Sequence, residues 1–372
     1  MNLLYFISYL ASALISAFII LKTLAVAYKY SLFDTINERK IHKGRIPRLG
    51  GVAIYLASLV TVILLCGFMK LTNALDFDML KGDTDNHLLV FGGVTLLFGV
   101  GLYDDLKGVR YRNKFLAQIV SGLLLCFSGI WLNRLFGLFG LYEHLPEWSG
   151  YMLTVFAILL ITNAINFIDG IDGLASGLCA ICLLTYFVVS VCVGAYWYAF
   201  ISAALLGSIT AFMVFNIKGT AENKKKLFMG DTGSLVLSFM IGYIGIALNA
   251  NPILVQSRFN PFVVVFSPLL LPCFDVVRVV GVRLYQRRSP FLADKSHIHH
   301  MLLEINGKNQ HKTLLQMIII SLLLTGVSIC MSFFLNINLV FYLDVLLWLF
   351  IMITISRKLN NIHKNNENQK FS

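Results

Sequence analysis

The stretch NAINFIDGIDGLASG, residues 163–177, places Asn163, Asn166, Asp169 and Asp172 three residues apart between long apolar runs. At 100° per helical residue, steps of three keep four side chains on one slowly drifting face. Two carboxylates and two amides together form an oxygen-rich surface suited to a hard cation or a polar ligand. Other polar clusters stand out of the same apolar background. Asp104 and Asp105 are adjacent in GLYDDLKGV, Asp231 lies in FMGDTGSL, and His297, His299 and His300 form the block SHIHHML. Each has a plainer reading. The Asp pair suits a solvated helix terminus, and GDTGS suits an ordinary helix start, because Asp and Thr are good N-caps. The histidines could suggest zinc, yet they lack partners at zinc spacing. Lys224–Lys226 suit contact with lipid headgroups, and Pro47 with Gly50–Gly51 suits a turn into the next helix. Together the clusters describe one chemistry. Carboxylates beside lysines, arginines and histidines suit a phosphorylated ligand held with a divalent cation, and phosphoryl transfer is largely positioning and charge neutralisation.

What must position these residues is set by composition. Hydrophobic residues make up 58% of the 372-residue chain and charged residues 13%, with a mean hydropathy of +0.77. Such values exclude an ordinary soluble domain. A membrane span needs about 20 mostly apolar residues. The sequence predicts an all-α polytopic membrane protein of about eleven transmembrane helices, near 3–25, 49–69, 86–103, 115–136, 150–168, 174–194, 196–217, 233–250, 260–281, 313–333 and 338–356. The third and eighth are the weakest, being short and glycine-rich. The first run is long and has no basic residue before it, so it reads as a retained span and not as a signal peptide. All seven cysteines fall inside spans. Cys179 and Cys182 therefore read as packing, and no disulfide or structural zinc is expected. Residues 1–356 form one membrane domain, and the polar tail 357–372 is expected to be disordered.

Charge orients the spans. The segments 29–48, 104–114, 163–173, 216–231 and 278–312, with the tail, hold 25 of the 30 Lys and Arg residues, and the alternate connections hold four. The positive-inside rule places the first set, and the C-terminus, in the cytoplasm and the N-terminus outside. The acidic loop DFDMLKGDTD then faces out. The net charge of +11 is accounted for by this bias, so no nucleic-acid partner is implied. The clusters around Asp104–Asp105, Asn163–Asp172, Asp231 and His297–His300 all fall on the cytoplasmic side, where the loops would form one bowl. A secondary transporter would place its charges near mid-membrane and show paired interrupted helices, and a non-catalytic lipid scaffold would not need both the Asp pair and GDTGS. The pattern suits a membrane enzyme that joins a soluble phosphorylated donor to a lipid-borne acceptor.

The ordered motifs PRLGGVAIYLA, GLYDDLKGV, NAINFIDGIDGLASG, FMGDTGSL and SPFLADKSHIHHML resemble the polyprenyl-phosphate N-acetylhexosamine-1-phosphate transferases. The DGIDGL core and the HIHH block resemble the N-acetylglucosamine branch. A run of three histidines after APF, expected in the MurNAc-pentapeptide branch, is absent. The resemblance implies transfer of GlcNAc-1-phosphate from UDP-GlcNAc to undecaprenyl or another polyprenyl phosphate, giving polyprenyl-PP-GlcNAc and UMP and starting cell-envelope glycan synthesis. A sister donor, another UDP-HexNAc or UDP-MurNAc-pentapeptide, is the alternative. By position it implies Asp231 as principal Mg²⁺ ligand with Asn166 second, Mn²⁺ being a potential substitute. It implies Asp104 and Asp105 beside the reacting phosphates. Asp172 would read the uracil, with Asp169 and Asn163 lining that pocket, and Lys114 would face the nucleotide phosphates. His297, His299 and His300 would meet the donor phosphates and sugar. Further implications are a bacterial cytoplasmic membrane with the site facing the cytoplasm, a tunnel between spans for the polyprenyl chain, membrane-lipid contacts and an open question of homodimerisation.

Overall fold

A computed structural model describes residues 2–33, 46–72, 87–141, 144–256, 258–289 and 296–371. The DFDMLKGDTD loop, most of 29–48 and residues 290–295 lie outside the described residues. Among the described residues the regular elements are helices: α1 (Asn2–Lys29), α2 (Gly50–Thr72), α3 (His87–Lys107), α4 (Tyr111–Phe127), α5 (Glu147–Ile168), α6 (Leu174–Cys192), α7 (Tyr196–Lys218), α8 (Gly230–Asn249), α9 (Pro252–Val255), α10 (Pro261–Phe266), α11 (Leu270–Tyr285), α12 (Ile298–Ile305), α13 (Gln310–Ser332) and α14 (Ile337–Phe371).

Ten helical stretches among the described residues are long and apolar enough to cross a membrane, with α10 and α11 counting as one. The fourth expected span is the exception. Its helix, α4, has 17 residues and stops at Phe127, well short of 136. Beyond it the chain turns through Gly129 and Gly137, both at φ 92°, and folds back so that the Leu132 amide donates to Thr154 Oγ1 of α5 at 2.8 Å.

The glycine-rich eighth span, weak by hydropathy, is the centre of the bundle. In its most apolar window 89% of α8 is buried, against 28–61% for the other spans. It packs on α2, α3, α5, α6 and α10. Ser234, Ser238 and Gly242 recur every four residues along it and are all buried, which lets neighbouring helices approach closely. Large apolar side chains such as Leu14, Phe18, Leu71, Leu323 and Phe350 are exposed, as expected where the solvent is lipid. Cys179 and Cys182 lie buried on α6.

The expectation for the tail is corrected. α14 runs unbroken from Ile337 to Phe371. No Pro or Gly interrupts RKLNNIHKNNENQK, so nothing stops a helix already nucleated by the apolar segment before it. His363 Nε2 on this extension meets Glu304 Oε1 of α12 at 2.7 Å.

Candidate active site

The site begins with backbone. The PRLGG segment does more than turn into α2, because it docks on the chain leading into α8. Phe228 N–H donates to Pro47 O, Gly50 N–H to Phe228 O and Gly51 N–H to Met229 O, each at 2.9 Å. Gly230 opens α8 at φ +72°, and a Cβ there would meet Arg48 O at 2.3 Å and the Asp105 carboxylate at 2.5 Å. Only glycine tolerates both that conformation and that approach.

The start of α8 has no capping side chain of its own. Asp105, from the last turn of α3, supplies the cap. Its Oδ1 accepts from Asp231 N–H at 2.8 Å, and its Oδ2 accepts from Thr232 N–H at 2.9 Å and from Thr232 Oγ1 at 2.6 Å. A helix N-terminus leaves such donors unsatisfied and favours negative charge. GDTGS is thus a helix start, as its residue types suggest, with the acid coming from another helix.

Asp104 points the other way. Its Oδ1 accepts from Val109 N–H at 2.6 Å, and its Oδ2 receives Lys114 Nζ at 2.8 Å. The same ammonium reaches Asp231 Oδ2, so Lys114 of α4 bridges α3 and α8. Asp104, Asp105 and Asp231 each offer a carboxylate oxygen within 4.8 Å of the others. Three hard oxygen donors beside one lysine fit Mg²⁺ together with phosphate oxygens. Asn166 adjoins this group: its Nδ2 donates to Ser234 Oγ at 2.8 Å, one turn beyond Asp231.

The opening stretch does not form one helical face. Asn163 and Asn166 lie in the last turns of α5, Asp169 is its C-cap at φ −74° and ψ 54°, and Asp172 sits in the turn before α6. Gly170 and Gly173, the latter at φ +78°, end the helix where the three-residue spacing suggested continuation. The Gly173 N–H donates to Asn216 Oδ1 at 2.6 Å, and Asn216 Nδ2 donates to Leu227 O at 2.9 Å. Asn163 faces α4, donating to Gln118 Oε1 at 2.9 Å. Asp172 pairs with Lys226 at 2.5 Å, so this lysine of the KKK run holds a site acid and is not given over to lipid headgroups. The surrounding protein, and then the Asp231 charge, push the Asp169 carboxyl up to about 7, against the pull of Arg48. Its side chain nevertheless reaches solvent, which tempers that burial cost.

The histidine block packs over this turn. His297 lies 5.9 Å from the Phe167 ring, and the His297 and His299 rings stack at 5.8 Å. A Cβ at Gly170 would come within 2.5 Å of His299 Nε2. His299 is buried with neither ring nitrogen hydrogen-bonded. Burial above all holds its imidazole down to about 3, so it is neutral at physiological pH. The His300 ring lies tilted against that of His299, their centroids 4.1 Å apart.

Several residues of this region escape sequence reading. Thr232, Ser234, Gln118 and Asn216 are ordinary polar residues whose partners come from distant helices. Asp275 carried a signal: it is an isolated acid in the apolar run LLPCFDVVRVV, and ionisable residues in such runs are rarely idle.

The family model described as glycosyl transferase family 4 matches residues 87–249, which span α3 to α8 and include Asp104, Asp105, Asp169, Asp172 and Asp231. Curated relatives extend the match. The decaprenyl-phosphate N-acetylglucosaminephosphotransferase of Mycobacterium leprae is 32% identical over 297 residues, 75% of this chain and 72% of the relative. The probable undecaprenyl-phosphate N-acetylglucosaminyl 1-phosphate transferase of Bacillus subtilis is 28% identical over 329 residues, covering 86% and 85%. The undecaprenyl-phosphate alpha-N-acetylglucosaminyl 1-phosphate transferase of Yersinia pestis is 29% identical over 282 residues, covering 75% and 71%. With its acids gathered under α8 and this likeness running through most of its length, the chain belongs to glycosyl transferase family 4.

Proposed function

We propose that this protein transfers GlcNAc-1-phosphate from UDP-GlcNAc to undecaprenyl or a related polyprenyl phosphate at the cytoplasmic face of a bacterial inner membrane. The observation that carries the reading is the convergence of Asp104, Asp231 and Lys114 at the buried start of α8. Asp231 and Asn166 would hold Mg²⁺, which when bound would neutralise charge on the donor pyrophosphate. Lys114 would follow the phosphates, and Asp105 would hold Asp231 in place through the α8 cap. Asp172 and Asp169, with Asn163 behind them, would receive the uracil, and His297, His299 and His300 the phosphates and sugar.

The acceptor is a phosphate monoester with a second pKa of about 6, so it is mostly dianionic at neutral pH and needs no strong base. One of its oxygens attacks the sugar-bearing phosphorus. That O–P bond forms as the bond to the bridging oxygen breaks, and UMP leaves with the electron pair. Asp104 would orient the acceptor or take a residual proton. One pyrophosphate linkage replaces another, so downstream consumption of the product must draw the reaction forward.

The polyprenyl chain would lie in the apolar groove between α2, α3, α7 and α8. Tyr55, Leu59, Val94, Leu205, Val236 and Met240 are among its lining residues, and Val236 is five residues beyond Asp231. The purified protein, with polyprenyl phosphate, Mg²⁺ and a panel of radiolabelled UDP-sugars, tests the reading. UDP-GlcNAc should give a lipid-extractable product. If only another UDP-sugar does so, the donor assignment is replaced.

Orientation has its own test. Single cysteines at 82, 107, 222 and 295 in a cysteine-free chain should react with an impermeant reagent on intact cells only at 82. Reaction at 107 from outside would invert the topology.

A further inference from the structure

Asp275 of α11 is 1% exposed, and both its oxygens are engaged. Oδ1 accepts from Arg278 Nη2 at 2.7 Å and from the Ile298 N–H at 3.1 Å. Oδ2 lies 2.7 Å from His297 Nδ1. Arg278 Nη2 also donates to Ser296 O at 2.6 Å. One buried ion pair therefore grips three consecutive residues, 296 to 298, at the start of α12. His297 is the N-cap of that helix and makes no capping bond with its own side chain. Asp275 supplies the missing acceptor from another helix, as Asp105 does for α8.

We propose that Asp275 is a positioning residue: it fixes His297 as the Nδ1–H tautomer and sets the histidine block in register over the Gly170 turn. This rests on the transferase reading for what His297 does, though not for how His297 is held. A carboxylate paired with a guanidinium accepts at both oxygens, so the ring nitrogen facing it must carry the proton. Nε2 is then the nitrogen free to accept a proton or hydrogen bond from a ligand. The geometry forces the consequence of an amide here. In Asp275→Asn, Oδ1 must stay with its two donors, because turning the amide would set N–H groups against Arg278 and Ile298. The NH₂ then faces Nδ1, which can only accept, and the His297 proton moves to Nε2. Shape is kept while the tautomer inverts.

The test uses the full-length protein in nanodiscs. With UDP-GlcNAc and polyprenyl phosphate, Asp275→Asn should lower kcat/KM for the donor about 10- to 100-fold, by analogy with the loss of a partner that orients a metal-ligating histidine. The KM for polyprenyl phosphate should stay within about twofold. In a His297→Ala background the same change should cost less than about threefold, because two residues acting as a unit are not additive. Full additivity of the two losses would overturn the proposal, since a merely structural acid would add its cost in either background. Histidine-selective ¹⁵N spectra give a readout independent of turnover. The resonance absent in His297→Ala should show protonation at Nδ1 in the wild type and at Nε2 in Asp275→Asn. An Nε2–H wild type, or an unchanged tautomer in the variant, would also overturn it. If the wild type transfers no sugar phosphate while the tautomer inverts as stated, the transferase reading fails and the clamp stands.

Discussion

The carboxylate cluster under α8 and the histidine block over the α5–α6 turn are built in different ways. In the cluster, backbone does the positioning: two chain segments pair through Pro47, Gly50, Gly51, Phe228 and Met229, and Asp105 is pinned by two amides and a hydroxyl. In the histidine block, side chains do it. Asp275 and Arg278 grip the start of α12, Lys226 holds Asp172, Asp169 stays open to solvent, and His299 has no hydrogen-bond partner. The first region is a fixed frame for charge. The second is a surface of rings and carboxylates held by side-chain contacts, suited to recognising a ligand. Substitutions in the first should therefore act mainly on kcat, and those in the second mainly on donor KM.

The largest effect should come from Asp231→Asn. Removing a carboxylate that concentrates charge stabilisation at the transferring phosphate should cost on the order of 10³-fold in kcat, with normal membrane insertion. More than about a tenth of wild-type rate at saturating Mg²⁺ would take Asp231 out of the centre of the site.

Asp172→Ala should act on the other side of the comparison. A charge-assisted hydrogen bond to the uracil is worth about 1.5–3 kcal/mol, so the donor KM should rise about 10- to 150-fold while kcat falls much less. The uracil is remote from the reacting phosphorus, and its contact is made equally in ground and transition states. If kcat alone fell, with donor affinity intact by calorimetry, the two regions would not divide the work in this way.

Asp105→Ala should give the reverse pattern at smaller size. Losing the cap on α8 should cost about 0.5–2 kcal/mol of stability and lower kcat about tenfold through a displaced Asp231, with donor KM nearly unchanged. Steady-state kinetics beside a thermal melt would separate the two effects. A rise in donor KM without loss of kcat would contradict the positioning role.

These roles were only partly legible in sequence. The helical membrane class followed from composition, and the acids and histidines stood out because a charge in an apolar chain is conspicuous. Their connections did not. That Asp105 caps a helix through an amide 126 residues later depends on the approach of α3 to α8, which no local spacing records. The three-residue rhythm from Asn163 to Asp172 suggested one helical face, and Gly170 with Gly173 broke it. Hydropathy undervalued α8 because the small residues that let it sit at the centre are not themselves strongly apolar. Asp275 was visible as a lone acid, but its meaning required His297 beside it.

The smallest expected effect concerns pH. The Asp169 carboxyl is raised from 3.8 to about 7 in the folded protein. Between those values the native state holds a proton that the unfolded chain has lost, so this group's stabilising contribution is fullest below about 3.8 and is lost as pH rises to about 7. Asp169→Asn should therefore gain in melting temperature relative to wild type between pH 4 and pH 7. Parallel profiles would mean that solvent at this exposed carboxylate screens it fully.

The central claim is that the acids under α8 transfer a sugar phosphate and not a bare sugar. UDP-GlcNAc labelled with ³²P at the phosphorus next to the sugar, incubated with the purified protein, polyprenyl phosphate and Mg²⁺, tests it most directly. The account expects the label to enter the lipid product in equal amount with the sugar, with unlabelled UMP released and neither event seen in Asp231→Asn. Label released as UDP, with sugar alone on the lipid, would contradict it.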